Sequence, residues 1–249
     1  MDIVTERRGA VEAVGFNRPA RRNAITSAMY TALRERVEAA EADEGVRVVL
    51  FHGLPDVFTS GNDIEDFQER APRGEDAPVF RFLQAVSGAQ KPLVAAVTGP
   101  AVGIGTTLLL HCELVYAGDN ARFAMPFTQL GLVPEFASSY LLPLVAGYQR
   151  AAELLLLGET FDATKAYEAG FVTRVVPAAE ALEVAWQAAT KLAALPPRSI
   201  LLTKSLLKSA HREAVRARLA VESEHFRTLL GEPAARAALA AFLARRKGS

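Results

Sequence analysis

A single carboxylate, Glu135, stands in the run "PFTQLGLVPEFASSY" (126–140), which holds no other charge. Two further stretches, "FTSGNDI" (58–64) and "GPAVGIG" (99–105), carry small residues where a peptide backbone can approach a ligand closely. A positioned carboxylate is a general base, and backbone N–H groups at a turn or helix N-terminus stabilise a developing oxyanion without any side-chain donor. Each part also has an ordinary reading. Glycines permit tight turns, and an acid directly after Pro134 suits the first turn of a helix, where the dipole favours negative charge.

The elements that must position these residues follow from the hydrophobic pattern. Residues 3–16 alternate around Gly9 as a short hairpin, and Thr26 or Ser27 can cap a helix running to about Ala42. "VRVVLFHG" is a β-branched run ending in Gly, the pattern of a buried parallel strand, and "LPDVFTSGNDIEDF" follows it as a loop. The polar stretch "ERAPRGEDAP" (69–78) is expected to be a mobile surface connection. A second unit repeats the pattern, with strand "KPLVAAVTG", turn "PAVGIG" and helix "TTLLLHC". Strands are expected at "ELVYA", "ARFAM" and "FVTRVVP", and helices at about 135–145, 147–157 and 163–169. From about 178 the chain reads as helix, broken at "LPPRS". No low-complexity tract or solenoid-type repeat stands out. The alternation predicts an α/β core over 1–195 with parallel strands, and a helical extension over 196–249. In such folds ligands bind at the carboxyl ends of the strands, where both Gly-rich loops fall.

Composition narrows the function. Lys and Arg number 28 against 28 Asp and Glu, so nothing favours nucleic acid as a partner. Cys112 is the single cysteine, which excludes an internal disulfide and suits a reducing compartment. "MDIVTERRG" puts charges where an export signal needs an apolar run, and "LVAAV" (93–97) is too short to span a bilayer. "RRKGS" is not a peroxisomal address of the Ser-Lys-Leu type. The expectation is a soluble, cytoplasmic protein with no membrane contact. Three motif matches fail. Gly103-x-Gly105 has Leu108 where a dinucleotide fingerprint needs its third Gly; Ser205-Leu-Leu-Lys208 lacks the companions of an acyl-enzyme motif; and His52, His111, His211 and His225 show no metal-ligand spacing to each other or to Cys112. No metal is expected.

In order and spacing, "NRPARRNAI", "FTSGNDIEDF", "GPAVGIG", "AYEAGFVTRVVP" and "EPAARAALAAFLARR" resemble the crotonase (enoyl-CoA hydratase/isomerase) superfamily over essentially the whole chain. The resemblance implies a right-handed ββα spiral with a C-terminal helical region for oligomerisation, as a homotrimer or dimer of trimers. It implies an acyl-CoA thioester substrate, CoA being part of the substrate and no separate cofactor. Carried over residue by residue, the N–H groups of Asn62 and Ile104 form the oxyanion hole. Ser60, Gly61, Asn62, Asp63 and Ile64 hold the CoA moiety, and Arg18 assists at its phosphates.

Hydration of a 2-enoyl thioester uses two carboxylates. In register with the hydratases, Thr107 replaces the first, Phe127 replaces the second, and Glu113 lies six residues out of register. Glu135 remains. "SGND", "GPAVGI" and the segment ending in "PEFASSY" are most similar to peroxisomal-type Δ3,Δ2-enoyl-CoA isomerases, in which a lone Glu shuttles a proton. The resemblance places Phe127, Leu132, Val133 and Phe136 along the acyl pocket, Phe136 departing from the small residue usual there. It is the register set by the flanking motifs that makes Glu135 a base and not an incidental helix-start acid. A hydratase, another crotonase-type acyl-CoA enzyme and a catalytically silent acyl-CoA binder are the alternatives.

Overall fold

The computed structural model describes residues 1–72, 74 and 76–247. Strands β1 (Ile3–Arg8) and β2 (Val11–Phe16) form the expected antiparallel hairpin around Gly9. Thr26 caps helix α1 (Ser27–Ala42), its hydroxyl accepting from the Met29 N–H at 3.3 Å. Then come β3 (Val48–His52), α2 (Ile64–Glu69), α3 (Pro78–Gly88), β4 (Leu93–Val97), β5 (Pro100–Val102) and α4 (Ile104–Thr107). β6 (Leu114–Gly118), β7 (Arg122–Ala124), α5 (Ser138–Ala146), α6 (Tyr148–Ala152), β8 (Phe161–Asp162), α7 (Ala163–Glu168) and β9 (Arg174–Val176) complete the core. Four helices follow: α8 (Ala181–Ala194), α9 (Pro197–Ser209), α10 (Arg212–Leu230) and α11 (Pro233–Lys247).

The main sheet has the order β1-β2-β3-β4-β6-β9, parallel from β2 onward. Parallel strands are covered on both faces, and the side-chain alternation shows how. Val11, Ala13, Val48, Leu50, Val94 and Ala96 pack against Ala185, Trp186 and Ala189 of α8. Their neighbours Val14, Phe16, Val49, Phe51, Ala95 and Val97 join the larger core on the opposite face. After each of β3, β4 and β6 the chain crosses to a second set of pairings. Thr59 bridges Ala101 in parallel, β5 pairs with β7 in parallel, and β8 closes that small sheet antiparallel. This repeated strand–strand–helix advance is the expected α/β crotonase-like spiral.

Several local expectations change. Residues 100–102, read as turn, pair as β5, and β8 was not foreseen; strands this short leave no period to read. The helix "TTLLLHC" begins at Ile104 and tightens into a 3₁₀ turn over Leu108–His111. The helix expected from 135 starts at Ser138, because Phe136 and Ala137 take left-handed conformations with φ of 61° and 56°. The one expected over 147–157 widens into a π-helical turn at Glu153–Leu157. α2 and α3 replace loop at either end of 69–78; within that stretch Arg73 and Glu75 lie outside the described residues, as do Gly248 and Ser249 of the tail. Among the described residues no helix is long and apolar enough to cross a membrane.

The C-terminal helices fold back on their own core. Lys204 and Lys208 of α9 contact Glu113 at 3.0 and 2.9 Å, and Lys204 also donates to the Lys91 carbonyl oxygen at 2.7 Å. Phe226 of α10 meets Phe67 of α2 edge-on at 6.0 Å, and α11 lies against Gly131, with Ala235 backbone 3.0 Å from where a Gly131 Cβ would sit.

Candidate active site

One backbone bridge anchors the first Gly-rich loop, and a second brings the other loop alongside it. Ile25 donates to the Gly61 carbonyl at 2.8 Å and accepts from the Asp63 N–H at 2.9 Å, which turns the Asn62 N–H to the opposite side. Thr59 and Val102 are joined at 3.0 Å through the Val102 N–H, so the second loop runs alongside the first. Gly61 holds a φ of 86°, and a Cβ there would lie 2.8 Å from the Val102 carbonyl oxygen. Gly103 has φ 56°, ψ −117°, a conformation side chains avoid, and it starts α4. Ile104 is the first residue of that helix, where an N–H has no intrahelical acceptor. Among the described residues neither the Asn62 nor the Ile104 N–H has an acceptor. Both are free to donate.

The frame of the first loop is polar and buried. Asn23, at φ 56°, donates from Nδ2 to the Val57 and Phe58 carbonyls at 3.2 and 3.0 Å, and its Oδ1 accepts from the Arg18 N–H at 2.7 Å. Thr59 Oγ1 donates to the Asn23 carbonyl at 2.6 Å and accepts from the Gly61 N–H at 3.1 Å. Asp63 caps α2 by accepting from the Glu65 and Asp66 N–H groups. Arg18 Nη1 donates to Asp63 at 2.6 Å and to the Ala24 carbonyl at 2.9 Å. Burial would raise the Asp63 carboxyl, but the hydrogen bonds from Arg18 and from the Asp66 N–H hold it below its ordinary value. Arg18 thus braces the loop from inside, while Ser60 and Asn62 stay partly exposed at the rim and Ile64 is buried.

Glu135 is buried, and Thr107 Oγ1 donates to its Oε1 at 3.3 Å. Burial raises its carboxyl from 4.5 to about 8; the Thr107 hydrogen bond opposes this and the charge of Glu222 adds to it. The backbone around it is strained and held. Ser138 Oγ donates to the Glu135 carbonyl at 2.6 Å, and His111 Nε2 lies 2.8 Å from the Phe136 carbonyl, its ring stacked on Phe136 at 4.1 Å. A carbonyl only accepts, so Nε2 carries the proton; burial pushes His111 down to about 3, and the ring is neutral. Tyr30, whose O–H donates to Asn62 Oδ1, lies between the two halves. Burial, with the Glu135 charge added, raises its phenol well above 10.

Of the apolar residues expected along the pocket, Phe127, Leu132 and Phe136 are buried and Val133 is partly buried. The Phe127 ring faces the second loop, 4.0 Å from where a Gly103 Cβ would be, and Leu132 N–H closes onto the Phe127 carbonyl at 2.8 Å. Phe136 is fully buried and meets Phe82 at 6.2 Å; Val133 is partly buried. Sequence reasoning missed Tyr30 and Glu222, one tyrosine and one acid on amphipathic helices, with no motif to single them out. Among the described residues no cluster of three or more His, Cys, Asp or Glu could hold a metal ion. The chemistry on this side of the fold is one buried carboxyl with a raised pKa, in apolar surroundings, and two backbone N–H groups without acceptors among the described residues.

Comparison with known proteins bears on this geometry. The chain is 38% identical over 221 residues to enoyl-CoA delta isomerase 2 of Rattus norvegicus, covering 86% of this chain and 56% of that protein; it spans little more than half that relative's length. It is 34% identical over 249 residues to 2,3-dehydroadipyl-CoA hydratase of Escherichia coli, covering 98% and 96%. The solved structure of Pseudomonas aeruginosa OdaA superposes with a TM-score of 0.95 at 45% identity over 97% of this chain and 98% of that one. Residues 6–249 also match the sequence model described as enoyl-CoA hydratase/isomerase, and with these relatives and the spiral fold the chain belongs to that family, within the crotonase superfamily.

Proposed function

We propose that the chain is a Δ3,Δ2-enoyl-CoA isomerase. The observation that carries this is the buried Glu135 beside Thr107, where positions 107 and 127 hold Thr and Phe in place of acids. In a 3-enoyl thioester the C2 proton is acidified by both the thioester and the adjacent double bond. Glu135 takes that proton, and the electron pair delocalises through C1 onto the thioester oxygen, held by the Asn62 and Ile104 N–H groups. The same carboxyl returns the proton to C4 as the double bond settles between C2 and C3. No proton or electron pair is gained or lost, and no cofactor beyond the CoA of the substrate is required. Phe127, Leu132, Val133 and Phe136 line the acyl side and keep water from the dienolate. In this reading Ser60, Gly61, Asn62, Asp63 and Ile64 form the CoA rim, and Arg18 serves it by bracing Asp63. The reading includes assembly as a trimer or dimer of trimers through the C-terminal helices.

The test is turnover of 3-hexenoyl-CoA and of crotonyl-CoA by wild type and Glu135→Gln. Isomerisation by wild type should fall by about 10³-fold or more in the variant, as for loss of a group on which proton transfer depends. Hydration of crotonyl-CoA that persists in Glu135→Gln would overturn the proposal in favour of a hydratase. Binding of both thioesters with turnover of neither would favour a silent binder.

A further inference from the structure

The turn that carries Glu135 is held from a distant part of the chain. Helix α5 begins after Ala137, whose methyl group cannot cap it. Its Ser138 N–H turns back to the Glu135 carbonyl at 3.1 Å, while Glu222 of α10 satisfies the N–H groups on either side. Glu222 Oε2 accepts from the Ala137 N–H at 2.6 Å, and Oε1 accepts from the Ser139 N–H at 3.0 Å and the Ser139 hydroxyl at 2.5 Å. Glu222 is itself buried. Burying a carboxylate is costly unless it is fully hydrogen-bonded, and residue 137, at φ 56° and ψ 19°, lies outside the extended conformation from which a local side chain caps a helix. The structure sets this buried carboxyl against a turn through two left-handed residues, Phe136 and Ala137, alongside the Ser138 hydroxyl and the His111 ring that hold the Glu135 and Phe136 carbonyls. One helical turn further along α10, Phe226 rests on Phe67 of α2, the helix that continues the oxyanion loop. α10 is therefore a strut between the two halves of the site.

We propose that Glu222 is a positioning residue for catalysis: from α10 it fixes the strained 135–139 turn and so aims the Glu135 carboxylate at the paired amides. This rests on the reading of Glu135 as the base. Among the elements packed on α10, the charged group acting with Glu222 is Glu135 in the turn; burial raises the Glu222 carboxyl from 4.5 to about 7, opposed by its hydrogen bonds from Ser139 and Ala137 and by the charge of Arg218, which donates to Ser139 Oγ at 3.2 Å. Tyr30 faces Glu135 from α1. Glu222 therefore acts on Glu135 in two ways, through the backbone it clamps and through its negative charge, which makes Glu135 harder to ionise.

The experiment compares full-length wild type, Glu222→Gln, Glu222→Asp and Glu135→Gln by kcat on 3-hexenoyl-CoA, by Kd for hexanoyl-CoA, and by the pH profile of kcat/KM. Glu222→Gln should lower kcat about 10- to 100-fold, the scale of a small misplacement of a catalytic group, with Kd changed by less than about threefold. Its acidic limb should move to lower pH because the neighbouring charge is gone. Glu222→Asp keeps the charge, so the limb should stay while the shorter reach lowers kcat. A folded Glu222→Gln with wild-type kcat and limb, alongside an inactive Glu135→Gln, overturns the inference and leaves the proposed function standing. An active Glu135→Gln removes the base and the inference with it. If Glu222→Gln does not fold, the kcat-against-Kd split in Glu222→Asp decides the question, and wild-type kcat there overturns it.

Discussion

A carboxyl buried against Thr107 with another acid behind it is easier to fold protonated than ionised, which ties Glu135 to stability as well as to chemistry. Its folded value of about 8 lies above its ordinary 4.5, so its contribution to stability is fully present below 4.5. That contribution is lost as pH rises through about 8, at about 1.4 kcal/mol for each pH unit in the window between the two values. Glu135→Gln removes the titration while keeping the shape. At pH 8.5 the variant should melt several degrees above wild type, given about 2–4 °C per kcal/mol for a chain of this size, and near pH 4.5 the two should nearly coincide. Thermal unfolding at both pH values checks this, and an equal difference at the two would contradict it. The same titration governs activity. In the proposed isomerisation Glu135 must be ionised to accept the C2 proton, so kcat/KM should rise with pH up to about 8.

Between elements, the site depends on how closely two loops can pass. At Gly61 a φ of 86° and the Val102 carbonyl 2.8 Å from a would-be Cβ both exclude a side chain. Gly61→Ala must push the loops apart, and the Asn62 and Ile104 N–H groups with them. Losing aim at an oxyanion costs on the order of 10²–10³ in kcat, so that loss is expected with hexanoyl-CoA affinity far less affected. An unchanged kcat would show that the amides do not converge. In sequence "FTSGNDI" and "GPAVGIG" were legible as loops whose backbone can approach a ligand, though not as approaching each other; the hairpin, α1 and the buried parallel strands were legible because their periods and caps are local. What stayed illegible was non-local. α3 carries apolar Val79, Phe80, Phe82, Leu83 and Val86 behind Pro78, a helical pattern obscured by the polar stretch before it. The late start of α5 depends on Glu222, more than eighty residues away, and on His111, which in sequence is only a packed histidine at a helix end. The spiral repeats its geometry without repeating its sequence, since each turn buries different side chains.

At the scale of the molecule, the C-terminal helices have an inner and an outer face. Inward, Lys204 and Lys208 grip Glu113, and Lys208 also donates to the His111 carbonyl at 3.0 Å, behind the Glu135 turn. Outward, α9 exposes Leu202, Leu206 and Leu207 at 54%, 75% and 70%. Isolated exposed leucines are ordinary, but three on the free face of one anchored helix form a patch suited to burial against another subunit. We expect the pair Leu206→Glu and Leu207→Glu to dissociate the proposed trimer, because each introduced charge would have to be desolvated in the interface. Light scattering after size exclusion reads the mass, and an unchanged mass would place the interface elsewhere. The consequence for activity follows from where the site residues reside. Asn62, Ile104, Glu135 and the clamping Glu222 all belong to one chain, and α10 reaches its own core. The dissociated protein should therefore keep its isomerase kcat within about tenfold, well short of the losses expected from moving Glu135 or the amides themselves.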